Sequence, residues 1–150
     1  LSVFFVDTSA LGRRYLREVG WKWVRRWVPK VAGHIIVISD ITTVEMVTTF
    51  ARLVRDKRIT VTQGTALHTK FLADVVNEYL TIPVDTSSLN IARTLGTQYP
   101  LRAMDALQLA AARRSRVILR ESITFVSGDN RLLSAAIGEG FAVDNPYAHP

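Results

Sequence analysis

The sequence predicts an α/β fold: a three-layer α/β/α sandwich around a central, mostly parallel sheet. Three observations carry that expectation. The runs "SVFFVD" (2–7) and "HIIVIS" (34–39) are short, β-branched and aromatic throughout, as strands buried on both faces are. Helical patterns separate successive strand candidates, and such alternation implies parallel pairing through crossover helices. No linker, low-complexity tract or repeat interrupts the 150 residues, which are enough for one domain with a sizeable core.

Three further strands are expected at "TIPV" (81–84), "ITFVSG" (123–128) and "FAVD" (141–144). Helices are expected over 9–18, 21–32, 41–56, 62–79, 87–98, 103–115 and 130–138. Within 21–32, Trp23, Val24, Trp27, Val28 and Val31 form one apolar stripe at helical spacing, suited to packing. Trp21 lies off that stripe among Lys22, Arg25 and Arg26, with Arg13, Arg14 and Arg17 on the preceding helix. An aromatic among arginines suits nucleic acid or a protein partner, and a solvated basic face is an equally good account.

Composition narrows the function classes. Nineteen Lys and Arg against thirteen Asp and Glu give a formal charge of +6, which favours polyanionic partners. The chain has no cysteine, so disulfides and thiolate metal sites are excluded, and a reducing cytoplasm is the expected location. No apolar run approaches the ~18 residues of a membrane span, and no export signal is recognisable.

With only thirteen acidic residues, each can be considered. Glu18, Asp40, Asp56, Asp74, Glu78, Glu121 and Glu139 fall at helix ends, beside basic residues or on polar faces, and surface placement explains them. Asp7, Glu45, Asp85, Asp105, Asp129 and Asp144 have apolar neighbours instead. Asp7 and Asp129 each follow a strand and open a helix, where an aspartate can simply cap free N–H groups. Thr42 and Glu45 have capping-box spacing. Asp85, in a second copy of "VDTS", is expected to cap helix 87–98, and Asp144 to sit in a "DNP" turn. Asp105 is harder to place, because "LRAMDALQLAAA" is otherwise built for burial. A buried carboxylate either neutralises or finds a cation, and Arg102 is one available partner.

Ligands of parallel sheets bind outside the carboxyl ends of the strands. If Asp7, Glu45, Asp105 and Asp129 meet at that edge, they repel one another unless divalent cations sit among them. Oxygen donors without His or Cys suit Mg²⁺ or Mn²⁺, and such ions support phosphoryl transfer with a metal-activated water.

The blocks "FFVDTSAL", "ISDITTVEM", "LRAMDALQLAAA", "FVSGDNRLLSAA" and "GFAVDNP", in that order, resemble PIN-domain ribonucleases, specifically the VapC-like toxins of toxin–antitoxin pairs. The resemblance implies Mg²⁺- or Mn²⁺-dependent endonucleolytic cleavage of RNA, often tRNA or ribosomal RNA in relatives. It also implies a homodimer held inactive by a cognate antitoxin. Asp7, Glu45, Asp105 and Asp129 match the family's acidic quartet, with Asp7 and Asp105 as direct metal ligands and Glu45 and Asp129 as second-metal or water-mediated ones. Thr8 or Ser9 matches the hydroxyl residue beside the first aspartate. Gln108 stands where many relatives carry His or Gln. Arg13, Arg14, Arg17, Trp21, Arg25 and Arg26 become candidates for gripping RNA or the antitoxin.

Other classes fit less well. No G-x-G-x-x-G follows a strand, as a dinucleotide site requires. A haloacid-dehalogenase-like phosphatase would want a second aspartate two residues after Asp7, where this chain has Ser9. No nucleophile elbow is present, and His34, His68 and His149 lack evident triad partners, His149 being expected to be a mere terminal residue. A non-catalytic PIN scaffold that binds RNA or protein remains the alternative from another class.

Overall fold

The structure, a computed structural model, describes all residues, 1–150. Five strands form one sheet in the order β3-β2-β1-β4-β5: β1 (Val3–Val6), β2 (Ile35–Ser39), β3 (Tyr79–Ile82), β4 (Ile123–Val126) and β5 (Ala142–Asp144). Every pairing is parallel, with Val3 opposite Ile35 on one side and Ile123 on the other. The expected mostly parallel sheet is thus wholly parallel.

Alternation along the strands divides the core into two layers. Val3, Phe5, Val37, Ile123 and Phe125 pack against α5 (Thr86–Gln98), α6 (Ala103–Leu119) and α7 (Asn130–Gly138). Val6, Ile36, Ile38 and Val126 pack on the other face against α1 (Thr8–Tyr15), α2 (Trp21–Trp27), α3 (Asp40–Arg55) and α4 (Val61–Glu78). Because β1 lies between β2 and β4, the chain reverses its direction of winding there. The crevice outside the carboxyl ends of β1 and β4 is therefore the topological switch point, where ligands of such sheets bind.

Several boundaries differ from expectation, each for a local reason. Helix α2 stops at Trp27 with Val28 as its cap, because Pro29 follows and cannot continue the ladder. A separate 3₁₀ turn then covers Lys30–Ala32, which carries Val31 out to 95% exposure and off the apolar stripe. Strand β3 starts at Tyr79, with no loop after α4, and ends before Pro83, which has no N–H to give. Helix α6 runs on to Leu119 and ends on Arg120 in a left-handed conformation.

Candidate active site

Asp7 follows β1 and caps α1. Its backbone N–H donates to Val126 O at 3.1 Å, which fixes it beside β4. Its Oδ1 accepts from the Ala10 N–H (3.0 Å) and the Ser9 hydroxyl (2.8 Å), and its Oδ2 from the Ser127 hydroxyl (2.8 Å). The residue does cap its helix, as the simplest account of it requires, but it does more. Burial pushes its pKa from 3.8 up to about 6; those three hydrogen bonds pull the other way, and the charge of Glu45 adds to the rise.

Glu45 is not part of a capping box. Helix α3 begins at Asp40 with Ser39 as its cap, so Glu45 lies in the second turn and reaches toward the crevice. Its Oε1 accepts from Thr8 Oγ1 at 2.8 Å and Gln108 Nε2 at 3.0 Å. The same amide nitrogen lies 2.9 Å from Thr42 Oγ1 and 3.1 Å from Thr8 Oγ1. Thr42 is fully buried and completes a knot tying α1, α3 and α6 together. The sequence reading missed Thr42 as a site residue, although its i,i+3 spacing to Glu45 places both on one helix face. The knot turns the donor end of Gln108 toward the carboxylate and leaves its buried Oε1 without a partner in the chain.

Asp105 occupies the first turn of α6, half-buried. Arg102 does not pair with it: that side chain is exposed, and no cation stands within ion-pair distance of the carboxylate. Burial raises the Asp105 pKa, as does the charge of Asp129; the Arg102 backbone N–H and guanidinium lower it, and Glu45 raises it further. Asp129 caps α7 through Arg131 N–H (2.9 Å) and Leu132 N–H (3.4 Å), and its own N–H donates to Ser127 Oγ (3.0 Å).

The charge of Glu45 thus bears on both Asp7 and Asp105, and that of Asp129 on Asp105, while none of the four enters an ion pair. No three acidic or imidazole side chains stand close enough together to hold a metal ion in this structure. Mg²⁺ keeps several waters and needs only one or two carboxylates from the protein. The donor set is all oxygen, and no cation of the chain is close enough to form an ion pair with it, Arg102 acting on Asp105 only at longer range. The residues fit a hard divalent cation.

The basic residues divide in a way the sequence did not foretell. Arg13 and Arg14, expected on an exposed face, are 2% and 8% exposed and bonded internally, so they are withdrawn from that surface. Arg14 meets Glu78 at 2.7 Å, the Tyr79 hydroxyl at 2.6 Å and Asp74 at 3.4 Å. Asp74, expected on the surface, is buried there because it also accepts from the Tyr15 hydroxyl (2.7 Å) and Lys70 (3.1 Å). Arg17, Lys22 and Arg25 surround the Trp21 ring, with Arg25 nearest at 4.6 Å, and neither they nor Arg26 enter an ion pair. His149 is more than a terminal residue: it stacks on Trp23 at 4.0 Å and bonds Asp144 at 2.9 Å.

Comparison with known proteins agrees with this architecture. Residues 4–138 match the model of the PIN domain. Ribonuclease VapC47 of Mycobacterium tuberculosis is 29% identical over 148 residues, covering 97% of this chain and 98% of that protein. Among solved structures, FitAcB from Neisseria gonorrhoeae superposes with a TM-score of 0.70 at 19% identity, over 97% of this chain and 98% of that one. VapBC2 from Rickettsia felis, solved bound to a DNA fragment from its promoter, gives 0.65 at 13% identity, over 95% and 98%. The chain belongs to the PIN-domain family and is homologous along nearly its whole length to a VapC ribonuclease.

Proposed function

We propose that this protein is a Mg²⁺- or Mn²⁺-dependent endoribonuclease and the toxin of a toxin–antitoxin pair, working in the cytoplasm as a homodimer. The observation behind the reading is that Asp7, Glu45 and Asp129 each follow or lie near a strand end, Asp7 and Asp105 are pushed up by burial and by neighbouring acids, and no cation of the chain forms an ion pair with any of the four. Leaving such charge uncompensated disfavours the fold unless an external ion completes it.

Asp7 and Asp105 would hold the cation directly, and Glu45 and Asp129 would act through water or a second ion. When bound, the cation supplies an acidified water and neutralises charge on the phosphate. The chain's own residues prepare that place. Ser9 and Ser127 hold the Asp7 carboxylate in one orientation, while Thr8 and Gln108 hold Glu45. Arg17, Arg25 and Arg26 with Trp21 offer unpaired positive charge and a stacking face, suited to RNA phosphates and bases or to an acidic antitoxin segment.

Incubating the metal-stripped protein with cellular RNA, with and without Mg²⁺, and mapping 5′ ends tests the reading. Discrete metal-dependent cuts that vanish in Asp7→Asn are expected. RNA binding without cleavage at any divalent cation would make the protein a non-catalytic scaffold instead. Co-expression with the adjacent small open reading frame should relieve growth arrest if that frame encodes the antitoxin.

A further inference from the structure

The most deeply placed cation near the crevice is Arg13, and its surroundings are unusual for an arginine. It is 2% exposed, and its one carboxylate neighbour, Glu18, is itself largely solvent-exposed and 3.8 Å away. Its guanidinium is spent on backbone: Nε donates to Val19 O and Nη1 to Ser9 O. Burying an arginine to hold two carbonyls is costly unless their placement matters.

Ser9 is where it matters. The Ser9 hydroxyl donates to Asp7 Oδ1 at 2.8 Å and accepts from the Gly128 N–H at 2.9 Å, so it joins the loop after β1 to the loop that carries Asp129. Ser127 makes the reciprocal link, to Asp7 Oδ2 at 2.8 Å and from the Asp129 N–H at 3.0 Å. Arg13 braces this double link from behind and packs beside Gly128, where a Cβ would meet Arg13 Nη1 at an ordinary 3.5 Å and Tyr147 Cε2 at a tighter 3.3 Å.

Tyr147 is the second part of the brace. Its ring lies 4.6 Å from the Arg13 guanidinium and against Gly128. It comes from the C-terminal segment, outside residues 4–138 matched to the family model. That segment is itself fixed: Asn145 Oδ1 caps the turn Pro146–Ala148 through the Tyr147 N–H, and Asn145 Nδ2 donates to Asn130 Oδ1 at the start of α7. Gly20, at φ +85°, lets the carbonyl of Pro146 come so close that no Cβ would fit there. His149 on Trp23 anchors the end.

We infer that Arg13, seated by Tyr147 of the C-terminal strap, is a positioning residue that sets the Asp7 and Asp129 carboxylates for a divalent cation through Ser9 and Gly128. The inference rests on the proposed metal-binding role of the acidic quartet. Arg13 touches neither substrate nor cation; it acts through the loops.

Mn²⁺ binding by the full chain, followed by the loss of free-ion EPR signal, tests it without any RNA. Arg13→Lys, which keeps the charge but cannot fork between two carbonyls, should weaken Mn²⁺ about tenfold, the lower end of the range for outer supporting groups. Tyr147→Ala, at an exposed position and safe for folding, should weaken it about threefold by the same reasoning. Tyr147→Phe should restore parental affinity, since the hydroxyl makes no hydrogen bond here and a ring is all that is needed. Amide spectra should show shifts at residues 7–9 and 127–129 in Tyr147→Ala and not in Tyr147→Phe. Parental Mn²⁺ affinity in both folded Arg13→Lys and Tyr147→Ala overturns the inference, as does a Tyr147→Ala defect confined to the KM for RNA, which would make the ring a substrate contact. Failure of the parent protein itself to bind Mn²⁺ removes the quartet reading, and the inference with it.

Discussion

The tetrapeptide "VDTS" occurs twice, at 6–9 and 84–87, and both copies join a strand to a helix with the aspartate as the cap. Their electrostatics are opposite. Asp85 is exposed, accepts from the Ser88 N–H at 3.1 Å and pairs with Arg114 at 2.8 Å, and its pKa falls for those reasons. Asp7 is buried beside Glu45 without a cation, and its pKa rises to about 6. The difference comes from position in the sheet. β1 is the central strand at the switch point, hemmed in by β2, β4 and four helices' worth of core. β3 is an edge strand, open to solvent and within reach of Arg114 on α6. A carboxylate that the chain neutralises is structural; one that the chain buries and leaves bare is prepared for something from outside.

The largest effect expected from breaking this contrast is on catalysis. Asp7→Asn should lower metal-dependent RNA cleavage by more than ~10²-fold, beyond the loss usual for supporting groups, while Asp85→Asn cleaves like the parent. If Asp85→Asn removed cleavage and Asp7→Asn did not, the two copies would have been assigned the wrong way round. Asp105→Asn should also abolish cleavage, yet raise the metal-free melting temperature by about 2 °C, because one of the mutually repelling charges is gone. A fall in melting temperature would mean that Asp105 serves the fold.

The pH dependence of Asp7 gives a smaller but signed effect. Its carboxyl is harder to ionise folded than unfolded, so its contribution to metal-free stability is complete below the unfolded value of 3.8 and lost as pH rises through about 6. Cation binding needs the ionised form and should strengthen across the same interval. Urea unfolding in EDTA and Mn²⁺ titrations at matched pH values should therefore show opposite slopes between pH 4 and 6, and parallel slopes would contradict the assignment. The smallest effect is that of Asp85→Asn on stability: a slight loss of melting temperature, reduced further by salt, from a weakened cap and an exposed ion pair.

Much of this was legible in the residues. Strand runs and their alternation with helices led to the sheet, and the ordered acidic blocks singled out Asp7, Glu45, Asp105 and Asp129 as candidates, because buried strands and unexplained acids both stand out locally. Features that depend on distant packing did not show. Arg13 and Arg14 look like surface residues in "LGRRYLRE", and only the fold places Glu78, Tyr79 and the Ser9 carbonyl around them. Asp74 looked solvated because its partners Tyr15 and Arg14 lie some sixty residues away in sequence. The C-terminal strap was opaque for the same reason: "NPYAHP" carries no periodicity, and its role comes from Gly20, Trp23 and Gly128 beneath it.

The most direct test of the bare-carboxylate claim is Mn²⁺ binding at neutral pH by the parent chain, Asp7→Asn and Asp85→Asn, with Mg²⁺ as competitor. The parent and Asp85→Asn should bind alike and release Mn²⁺ to Mg²⁺, and Asp7→Asn should bind at least tenfold more weakly. Equal binding by Asp7→Asn and the parent, or none by the parent, would contradict it.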